Sequence, residues 1–544
     1  MNDILKNLQH SAASFFAFEK NKTIINNDSQ IIQVPFLSNK LLWLLLGLIP
    51  VLFLLLLNSN LSPFVDNARY IAAARSLLSG NGYSHIHSQT ISPQTLYPPG
   101  YPLLLASLIY LFSQNILVFK LLSMLATVCA LIALYFLLNR HTDPTTAATV
   151  TLLAGVNPLL AFFAAVELTE APYLMLSVLA LLFVERSTDK DRSNIYLPVA
   201  IVVSACAYYI KSAGIALLPG ALFYYAYKKE YRKLLIFALV FAALISPWLI
   251  RSFTIDTPYN GTYFKQLMWK NPYNVSLGRA NIFDFAGRAG LNLIKYATFG
   301  IFPFRDDLGI GRWLAGPAAA FALLFSTLVV TGCFHKIKRN FGVIEAYVLS
   351  YFGMQLLWPM LDIRFIHPIL PFVLYYFLIG AGNAGNKLGG LLSKPLLAKK
   401  VVSTLVVVLI IISLSININL ILANTNKGGL ELEHAHFYEA IGWLKNHTAK
   451  KSYILSVRPE VVFVLSDRKA ETYQHSYLLS DKHYYNYILS KSFDYIVLDA
   501  FSDTNKARKP LARVVNIHPQ EFKLVYTSHR KSVKIYEVTK DRKH

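Results

Sequence analysis

Carboxylates are scarce in this sequence. Its 544 residues hold 30 Asp and Glu against 52 Lys and Arg, and only 15% of positions are charged, where a soluble chain carries roughly a quarter. With 54% hydrophobic residues and a mean hydropathy of +0.42, one soluble core is excluded and an integral membrane protein is indicated. Cysteine is scarce too: Cys129, Cys206 and Cys333 all fall inside apolar runs, so no disulfide framework is expected. No His/Cys cluster shows zinc spacing, and a required metal or other cofactor is not predicted, although a divalent ion stays open. The N-terminal stretch lacks the short apolar core of a cleavable signal peptide. The net charge of +22 raises nucleic acid as a partner. The basic residues, however, lie in short segments between apolar runs, the pattern that orients membrane proteins, and no nucleic-acid partner is expected.

What the sequence does contain is long apolar runs. A crossing helix needs about 20 apolar residues, and candidates lie near 41–57, 116–138, 146–165, 171–185, 195–210, 213–227, 233–250, 313–333, 342–359, 366–382 and 401–422. The apolar run 99–112 is short and proline-led, and is expected to lie at the membrane edge rather than to cross. With a cytoplasmic N-terminus, the inside connections are those at Arg140, "ERSTDKDR" (185–192), "KKEYRK" (228–233), "HKIKR" (335–339) and Lys387–Lys400. Each is basic, as the positive-inside rule requires. A twelfth crossing would invert all the later loops.

The fold class expected is therefore an α-helical polytopic membrane protein of about eleven transmembrane helices with a small C-terminal α/β domain. Residues 1–38 form a cytoplasmic lead, 39–422 the transmembrane catalytic part, and 423–544 a soluble extracytoplasmic domain. In the last part "SYILSV", "VVFVL", "YIVLDA", "KLVYTS" and "VKIYEV" read as strands. "HFYEAIGWLKNH" places Phe437, Ile441 and Leu444 at helical spacing. The glycine pattern of a nucleotide fold is missing there.

On this topology the polar residues of the connections collect on the outer face: Asp66, Glu167, Glu170, Lys211 and Arg364, with the long basic loop 251–312. Charge at a bilayer edge is costly unless paired or used, which points to a shared water-filled cavity. Taken singly, each residue has a second reading. Asp66 suits the N-cap of the helix that follows. Glu167 and Glu170 suit a helix end and the start of the next helix beside Pro172. Lys211 suits a snorkelling helix end, and Arg364 with Asp362 an ion pair. Tyr97–Gly100 forms a rigid turn in either case. Tyr97, Tyr101, Tyr259, Tyr273, Trp269 and Trp358 suit the membrane interface or stacking on a sugar.

The ordered set "DNARY…ARSLLSGNGY", "YPPGYPLLLA", "ELTEAPY", "KSAG" and "DIRFIHPILPF" resembles the GT-C superfamily. It is most similar to the bacterial members related to protein mannosyltransferases and to the lipid A aminoarabinose transferase. The resemblance spans roughly residues 40 to 385. It implies that Asp66 is the catalytic base and that Glu167 or Glu170 lines the same cavity. It also implies that Lys211 and Arg364 hold a lipid phosphate; Tyr97, as an aromatic able to stack on a sugar, is expected to contribute to substrate binding. Several relatives carry a second carboxylate directly after the first; here that position is Asn67, a departure from any paired-carboxylate or metal role.

The implied activity is transfer of a hexose or pentose from a polyprenyl-phosphate donor to an extracytoplasmic lipid, glycan or protein. The expected location is a bacterial inner membrane. The residue types suit that chemistry. Phosphate is already a good leaving group, so the second carboxylic acid of glycoside hydrolysis is unnecessary. One carboxylate suffices to take the acceptor proton, and cations stabilise the departing phosphate. Direct displacement inverts the anomeric centre. Two other classes stand beside this one: a transporter or flippase for lipid-linked sugars, which would place charges and broken helices near the midplane, and a structural or sensory protein working through its C-terminal domain.

Overall fold

The computed structural model describes residues 39–190, 193–255, 262–272, 274–297, 315–393, 395–427, 432–473, 480–502, 504–529 and 532–539. The N-terminal lead, Tyr259 and Tyr273 lie outside the described residues.

In chain order the first elements are α1 (Asn39–Leu56), α2 (Val65–Leu78), the two-stranded β1 (Ser84–His85) and β2 (Ser92–Pro93), and α3 (Gly100–Phe112). The helical body continues with α4 (Ile116–Leu138), α5 (Pro144–Val156), α6 (Pro158–Ala164), α7 (Glu170–Arg186), α8 (Ser193–Ile210), α9 (Leu217–Tyr227) and α10 (Tyr231–Thr254). It closes with α11 (Tyr263–Met268), α12 (Ile282–Lys295), α13 (Ala315–Arg339), α14 (Val343–Leu357), α15 (Leu370–Leu391) and α16 (Pro395–Lys427).

Every apolar run expected to cross is helical, but not always as one rod. The run 146–165 breaks at Asn157, whose side chain accepts from Leu159 N to cap a second helix started by Pro158. The two pieces meet at a 65° bend. The run 213–227 begins as a 3₁₀ turn, Ser212–Ala216. Among the described residues, Ile116–Leu138, Tyr231–Thr254, Ala320–Arg339 and Lys400–Thr425 are long and apolar enough to cross a bilayer, and the bent pair would make a fifth span. Length and composition thus support four or five of the expected crossings. The others are shorter or less apolar. Helix α3, with 13 residues, spans only about 20 Å and falls short of the hydrocarbon thickness.

Helix α13 crosses α15 so closely that a Cβ at Gly332 would collide with the Tyr376 carbonyl, and one at Gly380 with the Leu328 carbonyl. Phe325 and Phe377 stack beside this crossing with ring centroids 4.6 Å apart. Two glycines therefore set the backbone separation, and the aromatic pair fills the space next to it.

The C-terminal part opens with α17 (Leu432–His447), five residues after α16 ends at Lys427, and has Phe437, Ile441 and Leu444 fully buried. Then come β3 (Tyr453–Leu455), α18 (Pro459–Ser466), β4 (Lys469–Glu471), α19 (Asp481–Ser490), β5 (Tyr495–Leu498), α20 (Asn505–Ile517), β6 (Phe522–Thr527) and β7 (Lys534–Val538). The strands form one mixed sheet in the order β4-β3-β5-β7-β6. β3 runs parallel to both β4 and β5, while β7 is antiparallel to β5 and β6. "VVFVL", expected as a strand, is helix α18. Pro459 starts it, and its valines 461, 462 and 464 are buried. Burial on most sides of this short helix overrides the β preference of branched side chains.

Candidate active site

Helix α2 sets the first residue of the site. Its N-cap is Phe64, in extended conformation and without a side-chain capping bond, so Asp66 sits in the first turn rather than at the cap. The carboxylate points at other parts of the chain. Its Oδ1 accepts from the Tyr97 hydroxyl at 2.7 Å, and its Oδ2 accepts from Arg364 Nη1 at 2.8 Å. Arg69, one turn further along α2, brings Nη1 to 3.8 Å from Oδ1 and donates to the Tyr97 hydroxyl at 3.1 Å. Burial pushes the Asp66 carboxyl up, but Arg364, Arg69 and the Tyr97 bond outweigh it and hold it below the ordinary aspartate value. The group is therefore an ionised carboxylate with 20% of its side chain still exposed.

Each partner is fixed by its own local structure. Tyr97 precedes the turn into α3, where Gly100 lies against Tyr209: a Cβ there would stand 2.6 Å from the Tyr209 carbonyl oxygen. The turn can approach α8 only because that side chain is missing. The Tyr83 hydroxyl donates to the Tyr97 carbonyl at 2.9 Å, and Arg251 at the end of α10 donates to the Tyr83 carbonyl at 3.1 Å. The Tyr97 ring meets Tyr70 and Tyr263 edge-on, and Tyr263 in turn packs on Trp358. Arg364 lies in a 3₁₀ turn, Ile363–Ile366, whose cap Asp362 accepts from its backbone N–H. The Asp362 carboxylate also stands 3.1 Å from Arg364 Nε.

A second charged pair adjoins the first. Lys211, just past the end of α8, donates to Glu170 at 2.7 Å. Glu170 opens α7 and is almost fully buried. Its charge also acts on Arg364, so the two pairs form one electrostatic group. His367 is fully buried and meets the Phe163 ring edge-on.

Of the residues singled out in the sequence, Asp66, Tyr97, Arg364, Glu170 and Lys211 come together. Glu167 does not line the site. It is completely buried behind α2, accepting from Ser62 N at 2.7 Å, Ser62 Oγ at 2.9 Å and Asn67 Nδ2 at 2.7 Å. Lys120, buried in α4, stands 3.8 Å from it and donates to Asn58 and the Asn60 carbonyl. Asn67 is thus a structural partner of Glu167 rather than a second acid beside Asp66. Tyr101 is buried against Tyr70, away from any interface. Arg288 braces the long loop by donating to the Leu267 and Trp269 carbonyls.

Sequence reasoning gave no role to Arg69 and missed Glu460. Arg69 lay in plain view, one helical turn from Asp66. Glu460, which accepts from Arg69 Nε at 2.9 Å, comes from 391 positions away, and no local pattern marks it. Among the described residues no group of three or more His, Cys, Asp or Glu is placed to hold a metal ion.

Comparison with known proteins bears on this arrangement. Residues 97–250 match the family of dolichyl-phosphate-mannose-protein mannosyltransferases, a stretch that includes Tyr97, Glu170 and Lys211. No curated protein matches the chain by sequence. ArnT from Cupriavidus metallidurans, solved with undecaprenyl phosphate, has a TM-score of 0.60 at 11% identity, over 93% of this chain and 99% of that one. The oligosaccharyltransferase of Archaeoglobus fulgidus, solved tethered to an acceptor peptide, has a TM-score of 0.57 at 12% identity, over 92% of this chain and 74% of that one. The chain shares the fold of these two structures. Within that fold, Asp66 follows the first long helix and Arg364 precedes α15. The described part of the 251–312 loop supplies Tyr263 to the wall between them.

Proposed function

We propose that this protein is an integral membrane glycosyltransferase that moves a hexose or pentose from a polyprenyl-phosphate donor to an extracytoplasmic acceptor. The observation that carries the proposal is the partly exposed carboxylate of Asp66, held between Tyr97 and Arg364 beside the Glu170–Lys211 pair. ArnT, solved with undecaprenyl phosphate, and the archaeal oligosaccharyltransferase AglB, solved with a dolichol phosphate and an inhibitory peptide, support a lipid-phosphate donor for this fold.

In the proposed reaction an acceptor hydroxyl or amine attacks the anomeric carbon, and Asp66 takes its proton. The anomeric C–O bond breaks on the opposite face, the electron pair leaves with the phosphate, and the configuration inverts. Arg364 and Lys211 face the growing phosphate charge, where charge-assisted bonds gain most. The donor set suits a scheme with no required metal: both Asp66 oxygens are already bonded, and the next residue, Asn67, gives its amide to Glu167.

In this reading about eleven crossings of a bacterial inner membrane place residues 423–544 outside the cytoplasm. The contact of Glu460 with Arg69 supports it, because the site and the C-terminal domain must then share one side. The test is turnover by the purified protein in nanodiscs, supplied with a panel of undecaprenyl-phosphate-linked hexoses and pentoses and an envelope glycan extract. Release of undecaprenyl phosphate with an inverted product is expected. No release across the panel, with movement of the same lipids between leaflets of proteoliposomes, would replace the transferase by a flippase.

A further inference from the structure

Helix α18 of the C-terminal domain lies directly on α2, the helix that carries Asp66. Arg75 at the far end of α2 donates to Asp467 at 2.5 Å and stacks over Phe463 with 4.5 Å to the ring centroid. Gln114 donates to the Val464 carbonyl, and Ala470 N donates to the His87 carbonyl at 2.7 Å. This docking inserts Glu460 beside Arg69. The Glu460 side chain is 8% exposed, a costly place for a carboxylate unless it is paired.

Arg69 has two anions within reach. Its Nε is 2.9 Å from Glu460 Oε1, while its Nη1 stays 3.8 Å from Asp66 Oδ1. The first is a hydrogen bond; the second is not. Were Arg69 to swing onto Asp66, it would form a direct bond with an oxygen that already accepts from Tyr97, and a carboxylate gripped by two guanidinium groups is a weaker base.

We propose that Glu460 is a positioning residue for the transfer reaction: it holds Arg69 off Asp66, so the soluble C-terminal domain completes the active site of the membrane part. Glu460 touches neither donor nor acceptor and acts only through Arg69. The inference rests on the transferase reading and adds to it a role for a domain otherwise attached only as a neighbour.

The test is a double-mutant cycle in nanodiscs on Glu460→Ala, Arg69→Met and the pair, following kcat with a donor the wild type turns over and binding of undecaprenyl phosphate itself. Glu460→Ala should lower kcat roughly tenfold, part of the 10²–10⁴-fold that a positioned base contributes, while undecaprenyl phosphate affinity stays within about twofold. Adding Arg69→Met should cause no loss beyond that of Glu460→Ala, because without Arg69 there is nothing to hold away. Wild-type kcat in Glu460→Ala, a loss confined to lipid binding, or further loss in the pair would each overturn the proposal. Should Glu460→Ala not fold, Glu460→Met is read by the same criteria, since it keeps the volume and offers Arg69 no oxygen. The two levels separate cleanly. An inert Asp66→Asn beside a fully active Glu460→Ala removes only the positioning role, whereas absence of transfer by the wild type removes the transferase reading.

Discussion

Replacing Asp66 by Asn tests the site with little disturbance of its surroundings. Phe64, not Asp66, caps α2, so no capping bond is at stake. The new amide can turn its oxygen to Arg364 Nη1, now 2.8 Å from Oδ2, and its NH2 to the Tyr97 hydroxyl, now 2.7 Å from Oδ1. Arg364 also keeps Asp362 at 3.1 Å, so its charge is not stranded. The stability lost is the difference between charged and neutral hydrogen bonds, about 1–2 kcal/mol. The catalytic loss is larger. A positioned general base contributes roughly 10²–10⁴-fold, or about 2.7–5.5 kcal/mol of barrier.

Asp66→Asn should therefore purify as a monodisperse protein, retain binding of undecaprenyl phosphate, and release it from a sugar-linked donor at least about a hundredfold more slowly. The wild-type pH profile carries the same signature. Because the Asp66 carboxyl is held below its ordinary value, its contribution is present above that value and is lost at a lower pH than an ordinary aspartate would lose it. Transfer within a few-fold of wild type by a well-folded Asp66→Asn would refute the base assignment.

Lys211→Ala and Arg364→Ala should each weaken donor use by about 1.5–3 kcal/mol per lost charge-assisted contact, and Arg364→Lys should not restore it, because lysine cannot reproduce the planar fork; unchanged donor kinetics in both alanine variants would move the phosphate elsewhere. Glu167→Ala strands three buried donor atoms and the Lys120 ammonium. It should cost about 3–5 kcal/mol and show as lost folded protein in detergent thermal unfolding; a stable variant with a raised donor KM would return Glu167 to the cavity wall. A reporter that needs an oxidising compartment, fused after His544, should be active; activity of only a cytoplasmic reporter there would invert the loop assignments.

The sequence alone determined where the long apolar helices form and which connections carry charge. A run of apolar residues long enough for several turns has few alternatives to helix in lipid, since its backbone must bond to itself. Prolines 144 and 158 and the polar residues before them mark helix starts within a few positions. Asp66, Tyr97, Glu170, Lys211 and Arg364 were legible because each sits at the edge of such a run, where an ionisable group needs a reason.

Only the tertiary structure decided how those residues pair. Asp66 meets Arg364 from 298 positions away, and Arg69 meets Glu460 from 391. Separations of that size lie outside any window over which helical or strand periodicity can be read. Glu167 and Glu170, three residues apart, divide between a buried clamp and the site because the first faces the loop before α2 and the second faces Lys211. The same holds for "VVFVL": its β-branched residues favour a strand locally, and its place between the sheet and α2 makes it a helix. Local chemistry fixes what a segment can become, whereas packing brings two distant charges within hydrogen-bond distance and so decides which carboxylate is sealed off and which stays partly exposed.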